Sequence, residues 1–164
     1  MERPTETVKH TIYQDLDGCL TDFEGQFSKY SGGHSFRDYI LNYGESKAWD
    51  IIDEVGITFW SKMPWLQQGI KLWDYIKKHN PIILSSPGRS ELAVIGKKIW
   101  VKNNLPGTEL ILAQSYEKRR YASENSVLVD DYWKNIWEWK RDGGIGVIFK
   151  NFNQTIKQLK DYGI

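Results

Sequence analysis

Apolar residues recur along this chain in two alternating rhythms. Short runs at Thr11-Ile12-Tyr13, Ile82-Ile83-Leu84, Leu110-Ile111-Leu112, Val127-Leu128-Val129 and 145–149 have the length of buried strands. Between them the spacing turns helical: Leu66, Ile70, Trp73 and Ile76, then Leu92, Ile95, Ile99 and Trp100, then 133–141, then 154–162. Asn80-Pro81, Leu105-Pro106-Gly107 and Gly143-Gly144 mark the breaks. Strands alternating with helices predict an α/β, Rossmann-like domain. Its parallel sheet carries helices on both faces, and its binding crevice lies outside the carboxyl ends of the strands. The stretch 24–65 has no long clean period and reads as an irregular or helical insertion.

Composition narrows the picture little. At 164 residues the chain suits one domain, with a core over 10–23 and 66–164 and the insertion between. The 22 basic and 21 acidic residues are spread evenly, so bulk charge makes no case for long nucleic acid or an anionic membrane surface. A single cysteine, Cys19, excludes an internal disulfide and a multi-cysteine zinc site and fits a reducing compartment. No apolar run approaches the roughly 20 residues of a membrane span. The polar start 1–10 does not read as a signal peptide, so the expectation is a cytoplasmic protein without membrane contact.

Candidate chemistry gathers at strand ends. Asp15-Leu16-Asp17-Gly18 follows the first strand, and alternation puts Asp15 and Asp17 on one side while Gly18 frees the chain to turn. Two carboxylates forced together repel unless they share a proton or hold a hard cation. A second acidic pair, Asp130-Asp131, closes the run Val127-Leu128-Val129. An isolated D-x-D is more often turn chemistry. Ser85-Ser86-Pro87 alone suits a helix start just as well, and Lys118 alone is one charge in a basic run. His10, His34 and His79 lack ligand spacing.

Taken in order, these segments resemble the haloacid dehalogenase (HAD) superfamily of phosphohydrolases, and within it the 5'(3')-deoxyribonucleotidases and related phage-type proteins. Asp15 to Phe23, continuing Glu24-Gly25, resembles the first motif; Ile83-Leu84-Ser85-Ser86-Pro87 the second; Lys118 the third; and Leu128-Val129-Asp130-Asp131 the fourth. The resemblance runs from residue 12 to about 149. The stretch 115–126 departs from it in being longer. The resemblance implies a HAD-like fold in which 24–65 forms a small, mainly helical cap. It implies Asp15 as nucleophile, Asp17 as general acid and base, Ser85 with the Ser86 amide on the phosphate, and Lys118 offsetting charge. Magnesium would be held by Asp15, the Asp17 carbonyl and one of Asp130 or Asp131, with Asp130 favoured. Burial and the neighbouring carboxylates should keep Asp17 protonated.

The insertion supplies Phe27, Tyr30, Phe36, Tyr39, Tyr43, Trp49, Phe59, Trp60 and Trp65, enough rings to stack a base and enough simply to fill a cap core. By the resemblance, Phe23 is the first choice for base contact, followed by Trp60 and Trp65. The expected substrate is a nucleoside monophosphate, deoxyribonucleotides preferred. Two alternatives stay open: a polynucleotide 3'-phosphatase, approached along Lys97, Lys98, Lys102, Arg119 and Arg120, and a catalytically weak nucleotide-binding protein. A homodimer is compatible with either.

Overall fold

The computed structural model describes residues 8–164; the polar start at 1–7 lies outside them. Five short strands, β1 (Thr11–Gln14), β2 (Ile82–Ser85), β3 (Leu110–Leu112), β4 (Ser126–Asp130) and β5 (Ile145–Ile148), pair in parallel in the order β3-β2-β1-β4-β5. The order reverses beside β1, where β4 joins on the side opposite β2. At such a switch point the loops leaving the two strands diverge and open a crevice. Asp15 follows β1 and Asp130 ends β4, so both acidic clusters sit at that crevice.

The strands alternate as their sequences require. Ile12, Ile83, Val127, Val129 and Val147 face one layer, while Tyr13, Leu84, Leu128 and Ile148 face the other. The first layer holds helices α5 (Gln67–Ile76), α6 (Glu91–Asn104) and α8 (Phe152–Asp161). The second holds α7 (Trp133–Arg141) and a 3-10 segment at Ser115–Tyr121. Burial on both faces explains why the strands read as continuous apolar runs instead of alternating with polar residues.

The stretch 24–65 is mainly helical. It forms α1 (Phe23–Tyr30), α2 (Phe36–Tyr43), α3 (Glu45–Val55) and α4 (Ile57–Ser61), placed in the chain between β1 and α5. Local chemistry sets the starts: Asp22 caps α1 through a 2.9 Å bond from the Gly25 amide, and Ser35 caps α2 through the Asp38 amide. Aromatic residues of these helices join the core on one face of the sheet, with Phe27 and Phe59 fully buried and Phe36 edge-on to Phe27.

Two helix faces differ from the sequence expectation. In α6, Leu92, Ile95 and Ile99 are exposed, and the buried residues are Ala93, Gly96, Lys97, Trp100 and Val101. The cause is close approach: a Cβ on Gly96 would lie 2.4 Å from Trp60 Cβ and 2.8 Å from the Ile57 carbonyl, so α6 turns its small residues toward α4. In α5, Ile70 is exposed, while Gly69, Leu72 and Ile76 are buried. Among the described residues no helix is long and apolar enough to cross a membrane.

Candidate active site

The Asp15 amide donates to the Val129 carbonyl at 2.9 Å, carrying the β1–β4 ladder one residue past β1 and fixing the backbone of Asp15. The chain then turns tightly, with the amides of Leu20 and Thr21 on the Leu16 carbonyl. Gly18 has φ +81°, and a Cβ there would lie 2.2 Å from Asp131 Oδ2. Glycine is required both for the left-handed turn and for the approach of Asp131.

Lys118 is the electrostatic hub. Its ammonium, 3% exposed, donates to Asp15 Oδ1 at 2.9 Å and to Asp130 Oδ2 at 2.8 Å. The 3-10 segment aims it inward while Arg119 and Arg120 point to solvent. Burial alone would lower the lysine pKa, but the Asp15 and Asp130 carboxylates outweigh burial and hold it above the ordinary range. Both Asp130 oxygens meet protein donors: Oδ2 also accepts from Asn135 Nδ2 at 2.9 Å, and Oδ1 accepts from the Tyr132 amide at 2.9 Å. Asn135, with Ser115 hydrogen-bonded to its side-chain oxygen, was not flagged by the sequence. Its only signal is its place five residues past Asp130 on the helix that follows.

Asp15 and Asp131 carry the excess negative charge. Burial, then repulsion from Asp130, raises the Asp15 pKa well above 3.8 despite Lys118. Burial and Asp130 likewise push Asp131 up to about 6. Carboxylate oxygens of Asp15 and Asp131 lie within 4.8 Å of each other and of the Cys19 sulfur. Burial and the surrounding aspartates raise the Cys19 thiol above its ordinary range, which disfavours a thiolate there. Three clustered carboxylates against one buried ammonium leave charge that a hard, oxygen-seeking cation would neutralise, and the donor set fits magnesium. Both oxygens of Asp130, the sequence preference for direct ligation, already accept protein hydrogen bonds, whereas Asp131 gathers with Asp15.

Asp17 has other partners, on the wall of a cavity that Asp131 also lines. Its Oδ1 accepts from Thr21 Oγ1 at 2.9 Å and its Oδ2 from Lys97 Nζ at 2.7 Å. The sequence reading had the neighbouring carboxylates set the environment of Asp17, whereas here a cation does. The same ammonium reaches the Ser86 carbonyl at 2.7 Å and the buried Ser85 hydroxyl at 3.2 Å. Lys97 had been counted with Lys98, Lys102, Arg119 and Arg120 on a basic approach path. It is 3% exposed and part of the site. Helical spacing hid it, because a lysine read on the solvent side of α6 sits on its buried side.

The aromatic candidates separate. Phe23 is half-buried beside the acidic loop and, with Asp17, Gly18, Thr21, Asp22, Glu24, Leu66 and Asp131, lines a cavity of 380 Å3. That lies within the roughly 300–1,000 Å3 usual for small-ligand sites. Its ring also packs against Phe36, Phe59 and Trp60. Trp60 is buried, with the Lys97 ammonium 4.9 Å from its ring centre. Trp65 packs on Trp100 at 4.9 Å and donates to Asn104, so its ring is turned to α6. A larger cavity of 520 Å3 lies at the start of β2 and β3, around Pro81 and Glu109, and contains none of the acidic cluster.

No family model and no curated protein matches the chain. Solved structures do. The fold is similar to a HAD-superfamily hydrolase from Ehrlichia chaffeensis, with TM-score 0.58 and 12% identity over 94% of this chain and 97% of that one. A predicted phosphatase from Clostridium acetobutylicum matches with TM-score 0.54 and 13% identity, over 95% and 91% of the two chains. A HAD family hydrolase from Deinococcus radiodurans, solved with bound phosphate and sodium, matches with TM-score 0.53 and 11% identity over 94% and 89%. Across nearly its whole length, therefore, the chain has the fold of the HAD-superfamily hydrolases.

Proposed function

We propose that the protein is a magnesium-dependent phosphatase that hydrolyses the phosphate monoester of nucleoside monophosphates, deoxyribonucleotides preferred, through an aspartyl-phosphate on Asp15. The observation that carries this reading is the convergence of Asp15, Asp17, Ser85, Lys97, Lys118, Asp130 and Asp131 at the switch point of a HAD-type sheet. That the structurally similar Deinococcus hydrolase holds phosphate agrees with it.

An Asp15 oxygen attacks phosphorus as the bond to the leaving oxygen breaks, and Asp17 supplies the proton that this oxygen needs. Water then attacks the aspartyl-phosphate, giving its proton to Asp17, and inorganic phosphate leaves with Asp15 restored. Ser85 Oγ and the Ser86 amide hold phosphate oxygens, and Lys118 offsets charge on both nucleophile and phosphate. Magnesium, held by Asp15, Asp131 and the Asp17 carbonyl, would add charge neutralisation, while Asp130 keeps Lys118 aimed at Asp15. Phe23, at the wall of the cavity, stacks on the base.

A second reading, a phosphatase of polynucleotide 3' ends, is favoured by one face of α7. Trp133 and Trp137 are 67% and 55% exposed, one helical turn apart, and Arg141 covers the Trp137 ring at 5.0 Å. With Lys134 and Lys140 also on α7, exposed rings and cations lead away from Asp131, a pattern that suits stacked, single-stranded nucleotides. Phosphate release from a panel of nucleoside monophosphates, beside 3'-phosphorylated oligonucleotides, tests both. Preference for mononucleotides supports the first reading, and preference for oligonucleotides, lost in Trp133→Ala/Trp137→Ala, replaces it with the second.

A further inference from the structure

We infer that Lys97 is a positioning residue that orients Asp17 for proton transfer and ties that orientation to the cap; this rests on the reading of Asp17 as proton donor. A lysine ammonium has three hydrogens, and all three acceptors that Lys97 finds belong to the site: Asp17 Oδ2 at 2.7 Å, the Ser86 carbonyl at 2.7 Å and Ser85 Oγ at 3.2 Å. The same ammonium lies over the ring of Trp60, which α4 supplies, 4.9 Å from the ring centre. Burying an ammonium is costly unless its hydrogen bonds are complete, and here they are complete only while Asp17 keeps its present rotamer.

The carboxylate is equally constrained. Thr21 holds Oδ1 and Lys97 holds Oδ2, so Asp17 cannot leave the cavity wall that it shares with Asp131 without giving up a hydrogen bond. The backbone that carries Lys97 is fixed as well. Gly96, next to it, places α6 against Trp60 Cβ and the Ile57 carbonyl with no room for a side chain. Lys118 therefore serves the nucleophile and Lys97 the proton donor, and the two cations share no carboxylate.

The experiment compares two esters on the wild type, Lys97→Met and Lys97→Arg: p-nitrophenyl phosphate, whose leaving group needs little proton, and an alkyl phosphate, whose leaving group needs one. If Lys97 orients Asp17, Lys97→Met lowers kcat on the alkyl ester by about tenfold or more while changing the aryl ester several-fold less, leaves KM for both nearly constant, and regains part of the loss in Lys97→Arg. Equal losses on both esters with a raised KM would make Lys97 a phosphate ligand and overturn the proposal, as would an unchanged ester ratio at any level of activity. Should Lys97→Met fail to fold, Lys97→Gln reads the same ratio from a neutral but hydrogen-bonding side chain. Asp17→Asn separates the two claims: if it leaves the ester ratio of the wild type intact, the proton-donor reading of Asp17 itself fails.

Discussion

Asp15 shows how one residue can be stabilised for chemistry at a cost to the fold. Its carboxyl is buried beside Asp130 and Asp131, and one ammonium, Lys118, serves two of the three. Removing Lys118 as Lys118→Met leaves the buried Asp15 and Asp130 carboxylates without their cation and should cost about 3–5 kcal/mol of stability, the range for breaking a buried pair. Thermal denaturation checks this, and a shift in Tm of a degree or less would contradict it. Asp131 gives a pH signature. Its folded pKa near 6 exceeds the ordinary 3.8, so between those values the native state holds more protons than the unfolded chain. Stability from this group is full below about pH 4 and is lost as pH rises through 6. Metal-free Asp131→Asn should therefore lose that slope and melt higher than wild type at pH 7, with added magnesium narrowing the difference. A Tm below wild type at pH 7 without metal would show that Asp131 contributes attraction instead of repulsion. At Phe23 the expectation concerns binding. Phe23→Ala should weaken a nucleotide by about 1–3 kcal/mol, the usual value of one stacked base, and a base-free ester by clearly less. Equal losses would mean that the ring only supports the loop.

Among the elements, α6 and α4 depend on each other most visibly. Gly96 in mid-helix weakens α6 intrinsically by about 1 kcal/mol relative to alanine, yet the contact with Trp60 leaves no space for a methyl group. Gly96→Ala should therefore lower stability by about 1–3 kcal/mol, the cost of overpacking, against its helix propensity. A higher Tm in that variant would show that the two helices can separate freely. The same contact explains what the sequence hid. Helical spacing in α6 pointed to Leu92, Ile95, Ile99 and Trp100, but of these only Trp100 is buried, and the close approach at Gly96 puts Ala93 and Lys97 on the inner side with it. The strands were plain because a parallel sheet buried on both faces leaves unmistakable apolar runs. The cap was not, since its helices are short and its aromatic residues are shared among their faces, so no single period dominates.

For the whole molecule, the position of the site follows from strand order. Asp15 and Asp130 are 115 residues apart in the chain but end adjacent parallel strands, joined in register from Thr11 opposite Ser126 to Gln14 opposite Val129. Their convergence was legible from the sequence because two acidic pairs each close an apolar run. The division of labour between Asp130 and Asp131 was not, because it depends on Asn135 and the Tyr132 amide, whose reach no spacing rule gives. The helices of 24–65 lie in the chain between Asp17 and Ser85, and Trp60 on α4 meets the Asp17 ion pair through Lys97.

Phosphate release from p-nitrophenyl phosphate, by the wild type and Asp15→Asn in parallel, with magnesium and again with chelator, tests the phosphatase reading most directly. Turnover by the wild type with magnesium alone, abolished by chelator and by Asp15→Asn, is the predicted result. Turnover that survives chelator, or an Asp15→Asn variant working near the wild-type rate, would contradict it.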